Sequence, residues 1–299
     1  MCAKPLLRAG KPLLRTGLIL AALVAPADAR PRAVGKAAPA TIAVDYGINL
    51  AGLPIGTAHL SGTFERDTYR MDVSAALTGL VGAITDGQGA ARASGAIGLA
   101  PQPGAFSIAT RTAHAGIAVR MALSRGSVVQ AEITPPLLDM QDRVPVTAAN
   151  KRGIIDPASA LLMPVRVPGA PTDPRNCDRT LPVFDGATRF NVVLSYAETR
   201  EVQKPGYAGP VLVCSARYQA VAGHRPDRPG VRFMEENREM SVWLAPVEGT
   251  RVLIPIRISV LTQIGTNIIE ATRWAPSGAV ASASATANAA VAQASVPGQ

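Results

Sequence analysis

Ile117-Ala118-Val119-Arg120-Met121-Ala122-Leu123-Ser124 alternates large apolar side chains with small or polar ones. Successive side chains of a β-strand point to opposite faces, so this period of two sets Ile117, Val119, Met121 and Leu123 on one face. Ala118, Arg120 and Ser124 fall on the other. The same rhythm runs outward in both directions. Ile42, Val44, Tyr46 and Ile48 share a face, with Asp45 and Asn49 opposite. Tyr69, Met71, Val73, Ala75 and Leu77 repeat it against Arg70, Asp72 and Ser74. Phe190, Val192, Leu194 and Tyr196 follow, then Met240, Val242 and Leu244, then Val252, Ile254, Ile256, Ile258 and Val260. Gly52-Leu53-Pro54, Asp86-Gly87, Asp185-Gly186 and Gly265-Thr266-Asn267 supply turn chemistry between the runs. About ten or eleven strands are expected.

One segment departs from the alternation. Asp156-Pro157-Ala158-Ser159-Ala160-Leu161-Leu162-Met163 has a capping residue, a proline suited to the first helical position and good helix formers, and predicts a short helix ending before Pro164. So many strands must curl or split to hide one face. The predicted fold class is therefore all-β, mostly one large curved antiparallel sheet or open β-barrel, with this one short helix on its concave side. Leu161 or Leu162 is expected to bury against that face, near Ile117–Leu123 or Val252–Val260.

The ends read differently from this core. Lys4, Arg8, Lys11 and Arg15 precede an apolar run from Leu18 to Ala25, and Ala27-Asp28-Ala29 follows. A basic flank, a short hydrophobic run and small residues at the cut predict a signal peptide over 1–29. The alternative, a membrane anchor, needs roughly 20 apolar residues. Residues 30–40 read as a flexible lead-in, 41–274 as a single β domain, and 275–299 as an Ala/Ser-rich tail, disordered or forming an Ala-rich helix. Of 30 Lys+Arg and 21 Asp+Glu, cleavage leaves 26 against 20, a net charge of +6. In an exported chain this excess points to anionic envelope components or to nothing specific, and not to nucleic acid. Cys177 and Cys214 remain after cleavage, an even pair that reads as a disulfide in an oxidising, periplasmic compartment. A reactive or metal-binding cysteine is the alternative, without a histidine near either in sequence.

The sequence holds no Gly-x-Ser-x-Gly, no Ser-x-x-Lys and no His-Glu-x-x-His. Gly87-Gln88-Gly89 opens like a dinucleotide loop but has Arg92 where the third glycine belongs. His59, His114 and His224 are far apart in sequence, and read as strand, turn and loop residues. His224 opens a charged stretch through Glu239, expected to be solvated surface or a mobile lid. Asp185 belongs to a hairpin turn and Asp156 to a helix cap. No catalytic residue, cofactor or metal ligand is assigned.

Several stretches taken in order nevertheless form a pattern. They are Tyr46 to Gly56 with Leu53-Pro54-Ile55-Gly56, then Ile155 to Ser159, Cys177, Val183-Phe184-Asp185-Gly186, Cys214 to Tyr218, and Ile254-Pro255-Ile256-Arg257. In this order they resemble the exported proteobacterial family known as domain of unknown function 3108, over roughly residues 41 to 274. The resemblance implies a periplasmic, mainly β protein and carries no catalytic residues. Three functions are open: a non-enzymatic envelope protein holding an apolar or amphipathic, lipid-like ligand in the curved sheet, a structural or partner-binding module with a packed core, or a hydrolase of unrecognised type.

Overall fold

The computed structural model describes residues 38–137 and 141–276. The expected signal peptide, residues 30–37 of the lead-in and the tail from residue 277 lie outside the described residues. The amino-terminal half is a meander: β1 (Ala40–Leu50), β2 (Leu53–Glu65), β3 (Thr68–Leu77), α1 (Gly79–Thr85), β4 (Gln88–Ile97), β5 (Pro101–Arg111), β6 (Gly116–Ser124) and β7 (Ser127–Thr134). The carboxy-terminal half holds β8 (Met163–Pro164), β9 (Arg179–Phe184), β10 (Arg189–Lys204), β11 (Tyr207–Ala222), α2 (Pro229–Glu236), β12 (Met240–Pro246), β13 (Val252–Thr262) and β14 (Gly265–Pro276). All strands belong to one 14-stranded sheet. Its order runs from β7 down to β1, then to β14 and down to β9, with β8 off the path on β13. β1 and β14 therefore pair antiparallel at the centre, and the edges are β7 and β9.

The sheet curls until those edges are bridged. Arg152 bridges to Ser127 of β7, and Ile155 bridges to Val183 of β9. The amide of Ile154 donates to the carbonyl of Gly126 (3.1 Å), and that of Ile155 to Pro182 (2.9 Å). An irregular strap thus closes the seam with backbone hydrogen bonds that the edges would otherwise leave unpaired. Gly186, in the turn after β9, sits so close to β6 that a Cβ there would lie 2.5 Å from the Val119 side chain. On the other side, the distal β10–β11 hairpin reaches β14. The amide of Trp274 donates to Pro205 O (2.8 Å), Lys204 pairs with Glu270 (3.0 Å), and the Tyr207 and Trp274 rings meet edge to face at 5.4 Å. Only glycine fits at position 206, where a Cβ would lie 1.8 Å from Trp274 O.

The alternation read from the sequence places the inner face. Ile42, Val44, Tyr46, Tyr69, Met71, Val119, Met121 and Leu123 are all buried in one cluster with Phe64, Phe106, Phe184 and Trp274. A second cluster lies on the far face of β9–β13. It joins Leu181, Val183, Leu194, Leu212, Cys214, Val242, Leu244 and Leu253 to Met163 and Cys177 of the covering segment. Cys177 and Cys214 form a disulfide there (S–S 2.01 Å, Cα–Cα 5.5 Å), as expected from the even pair.

Four expectations need correction. The helix expected over Asp156–Met163 is a single 3₁₀ turn, Ser159–Leu161. Asp156 does cap it, but Met163 and Pro164 are already drawn into pairing with Leu253 and Val252, so the chain straightens after one turn. Two short α-helices form elsewhere, α1 and α2, the latter inside the stretch expected to be a charged loop. The fourteen strands exceed the ten or eleven counted, because β4 and β5 are rich in Ala, Gly and Ser and carry little apolar alternation. The boundaries also shift: β1 starts at Ala40, β14 runs on to Pro276, and the last hairpin turn is Gln263-Ile264, ahead of Gly265. Leu162 behaves as expected, fully buried in the cluster that contains Val119, Met121, Val252 and Ile254.

Candidate functional site

The inner face of β1–β6 is graded in side-chain size, and the grading follows from cross-strand register. Towards the end bearing the β2–β3 turn, Phe64 and Tyr69 lie opposite each other, and Gly62, Met71, Ala93, Phe106 and Met121 form the next row. Towards the opposite end, the row is Tyr46, Ala58, Ala75, Gly89, Thr110 and Ile117. Large side chains, with Leu162 and Phe184 above them, fill the middle. The small ones leave an open depression of about 360 Å³ at the end bearing α1. Ile48, Val73, Ala75, Leu77, Ala91 and Ile108 line it, with Arg111 at its lip. Arg111 has a long ion pair to Asp86 (3.7 Å). Such a hollow suits a hydrocarbon chain: at roughly 30 Å³ per water-sized group it has room for about a dozen methylenes.

Next to this packed middle lies a buried polar chain. Asp156 is fully buried, and accepts from the Ser159 amide (2.8 Å) and from the Ser159 hydroxyl. Because that hydroxyl proton points at the carboxylate, the Tyr69 hydroxyl donates to Ser159 Oγ (2.6 Å). Burial pushes the Asp156 carboxyl up to about 6 against the pull of those hydrogen bonds. Burial also raises Tyr69, well above the ordinary tyrosine range. The chain ties β3 to the turn after the closing strap. Sequence reading found the Asp156 cap, but Tyr69 lies 87 residues away and carried no signal.

Two larger depressions, about 820 Å³ and 740 Å³, lie over the outward side chains of β3–β7 and of β14 and β1–β5. The first is lined by Arg70, Asp72, Arg92, Arg120 and Glu132, with Arg92 donating to Asp72 (2.7 Å). The second holds His59, whose Nδ1–H donates to Asp45 (2.7 Å), while Arg273 holds the other carboxylate oxygen (2.6 Å). The His59 bond and Arg273 keep the Asp45 carboxyl below its ordinary value, outweighing burial. Ser74 is the cross-strand neighbour of His59, so Asp45, His59 and Ser74 form a row. Among the described residues no hydrogen bond joins Ser74 to His59. The strand around Ser74 pairs on both sides, with β2 and with β4. His114 sits in the β5–β6 turn, and the backbone carbonyl of His224 accepts from Val144 (2.9 Å). The three histidines are not brought together. Asp185 caps its own turn, accepting from the amides of Ala187 and Thr188. Among the described residues no three His, Cys, Asp or Glu side chains gather as metal ligands, and no helix is long and apolar enough to cross a membrane.

No curated protein matches the sequence. A solved structure similar to it is the beta-barrel-like protein of domain of unknown function DUF1849 from Brucella abortus. The two are 9% identical, with a TM-score of 0.46 over 81% of this chain and 98% of that one. A family described as protein of unknown function (DUF3108) matches residues 41–272, nearly all of the β domain. The chain belongs to that DUF3108 family.

Proposed function

We propose that this is an exported, periplasmic, non-enzymatic protein that binds an apolar or amphipathic, lipid-like ligand at the open end of the curled sheet. The observation that carries the reading is the apolar depression, where small residues replace the large ones that fill the rest of the inner face. A disulfide joining the outer layer to β11 fits an oxidising compartment. Asp45, Asp156 and Asp185 are held in an ion pair, a buried tie and a turn cap, which favours binding over catalysis. An anionic head group would meet Arg111, and nucleic acid is not the expected partner. A partner-binding module with a packed core is the second reading, favoured by the filled middle of the same face.

Titration with a fluorescent single-chain fatty acid separates the two. Saturable binding at one site per chain, lost in Ala75→Phe without a change in melting temperature, is the expected result. Absence of saturable binding, or binding indifferent to Ala75→Phe, would leave the packed-core module.

A further inference from the structure

Nine large apolar side chains are exposed among the described residues, six of them by 66% or more, and their placement is uneven. Leu53, Leu80, Val81, Ile84, Ile117 and Ile264 all lie at the end of the sheet where the depression opens. They stand on separate connections and strand starts: the start of β2, α1, the start of β6 and the β13–β14 turn. Those connections are stitched together by backbone hydrogen bonds. Thr78 donates to Ile55 (2.9 Å), Ala113 to Thr85 (2.9 Å) and Ala51 to Thr266 (2.9 Å). The result is one continuous rim around the apolar opening.

The seven-residue α1 has no buried position, while Leu80 is 79% and Ile84 70% exposed. A helix this short is marginal in water without a packed face, so it is held by its two end attachments and presents aliphatic side chains outward. The rim carries few charges. Asp86 and Arg111 pair with each other, and His114 is the only other titratable side chain on these turns.

We infer that this rim is a membrane-docking surface, which inserts its aliphatic tips into the interface of a lipid bilayer. Two features favour a bilayer over a rigid protein partner. The apolar groups project from separate turns around an opening, so a fluid apolar phase takes all of them at once whatever their spacing. The near-neutral rim also strands no unpaired charge on insertion, so apolar burial drives docking and the lipid head-group charge matters little. This surface would set the opening of the depression against the lipid. The inference stands whether or not the depression holds a ligand.

The test is flotation of the purified chain with phosphatidylcholine vesicles, and with vesicles containing phosphatidylglycerol, at low and high salt. Expected is co-flotation with both, insensitive to salt. Leu80→Glu or Ile84→Glu should weaken it about ten-fold or more, as loss of one buried aliphatic side chain implies, without lowering the melting temperature. Leu99→Glu, at an equally exposed leucine in the β4–β5 turn at the opposite end, should change nothing. Ala75→Phe should leave flotation intact, so this inference and the ligand reading fail separately. No flotation, or flotation only on anionic vesicles and abolished by salt, would overturn the inference. So would a lipid-free dimer that Leu80→Glu dissociates, since the rim would then cover a second copy of the chain.

Discussion

The two halves of the sheet solve burial differently. β1–β7 hide one face. Their outward positions are Asp45, His59, Asp72, Arg92 and Arg120, and the sequences of β1, β3 and β6 alternate. β11 and β13 hide both faces over part of their length. Val211-Leu212-Val213-Cys214 and Val252-Leu253-Ile254-Pro255-Ile256 are buried without interruption. Val211 and Val213 join the inner cluster, and Leu212 and Cys214 the outer one. Strands buried on both faces read as continuous apolar runs, those buried on one face as alternation. The covering layer on the carboxy-terminal half is a loop with little regular structure of its own, and the disulfide fixes it to β11. The proposed binding end follows the same division. The doubly covered half is closed, while the singly covered half keeps the open apolar end.

Substitutions can break or sharpen this comparison. The largest effect is expected for Leu162→Ala, at a fully buried side chain under the strap that joins the halves. It should cost about 2–5 kcal/mol, read from denaturant midpoints, and Leu161→Ala, only partly buried, should cost less. A neutral Leu162→Ala would mean that the strap is a detachable flap. Replacing Cys177 and Cys214 together by Ala should cost about 3–4 kcal/mol for a loop of 37 residues. Amide exchange should accelerate mainly in the outer layer of the carboxy-terminal half. Uniform acceleration across β1–β7 would deny the division.

The buried Asp156 gives a smaller, pH-dependent effect. Its carboxyl titrates at about 6 in the fold against an ordinary 3.8, so between these values the folded chain binds more protons than the unfolded one. Stability from this group is therefore full below about pH 4 and falls as pH rises towards 6, by on the order of 2–3 kcal/mol. The stability difference between the wild type and Asp156→Asn should shift by that amount between pH 4 and 7, against the wild type at high pH. A difference independent of pH would mean that the carboxyl is not desolvated. The smallest effect belongs to the outward face of β1–β7. Arg92→Ala breaks an exposed pair with Asp72 and should change stability by less than about 1 kcal/mol, vanishing at high salt.

Sequence reading succeeded where one residue's environment repeats along a strand. Ile117 to Leu123 identified its strand and faces because each side chain there answers only to its own position in the pleat. It also paired Cys177 with Cys214, since two cysteines allow one intramolecular bond. It miscounted where small residues carry no contrast, as in Gln88–Ile97, and it read a helix at Ser159 because a local cap cannot report that Met163 is claimed by β13. The depression was illegible for a related reason. Ala75 and Gly89 are unremarkable in their own strands and form a hollow only when register aligns them in one row. Leu80 and Ile84 were passed over because Gly79 and Gly82 break up the apolar run around them.

The most direct test of that hollow is native mass spectrometry of the chain purified from the cell envelope without organic extraction, beside its Ala75→Phe variant. The expected result is a lipid-like mass retained by the wild type and absent from the variant. Bare chains in both, or the same adduct on both, would contradict a ligand site at the open end.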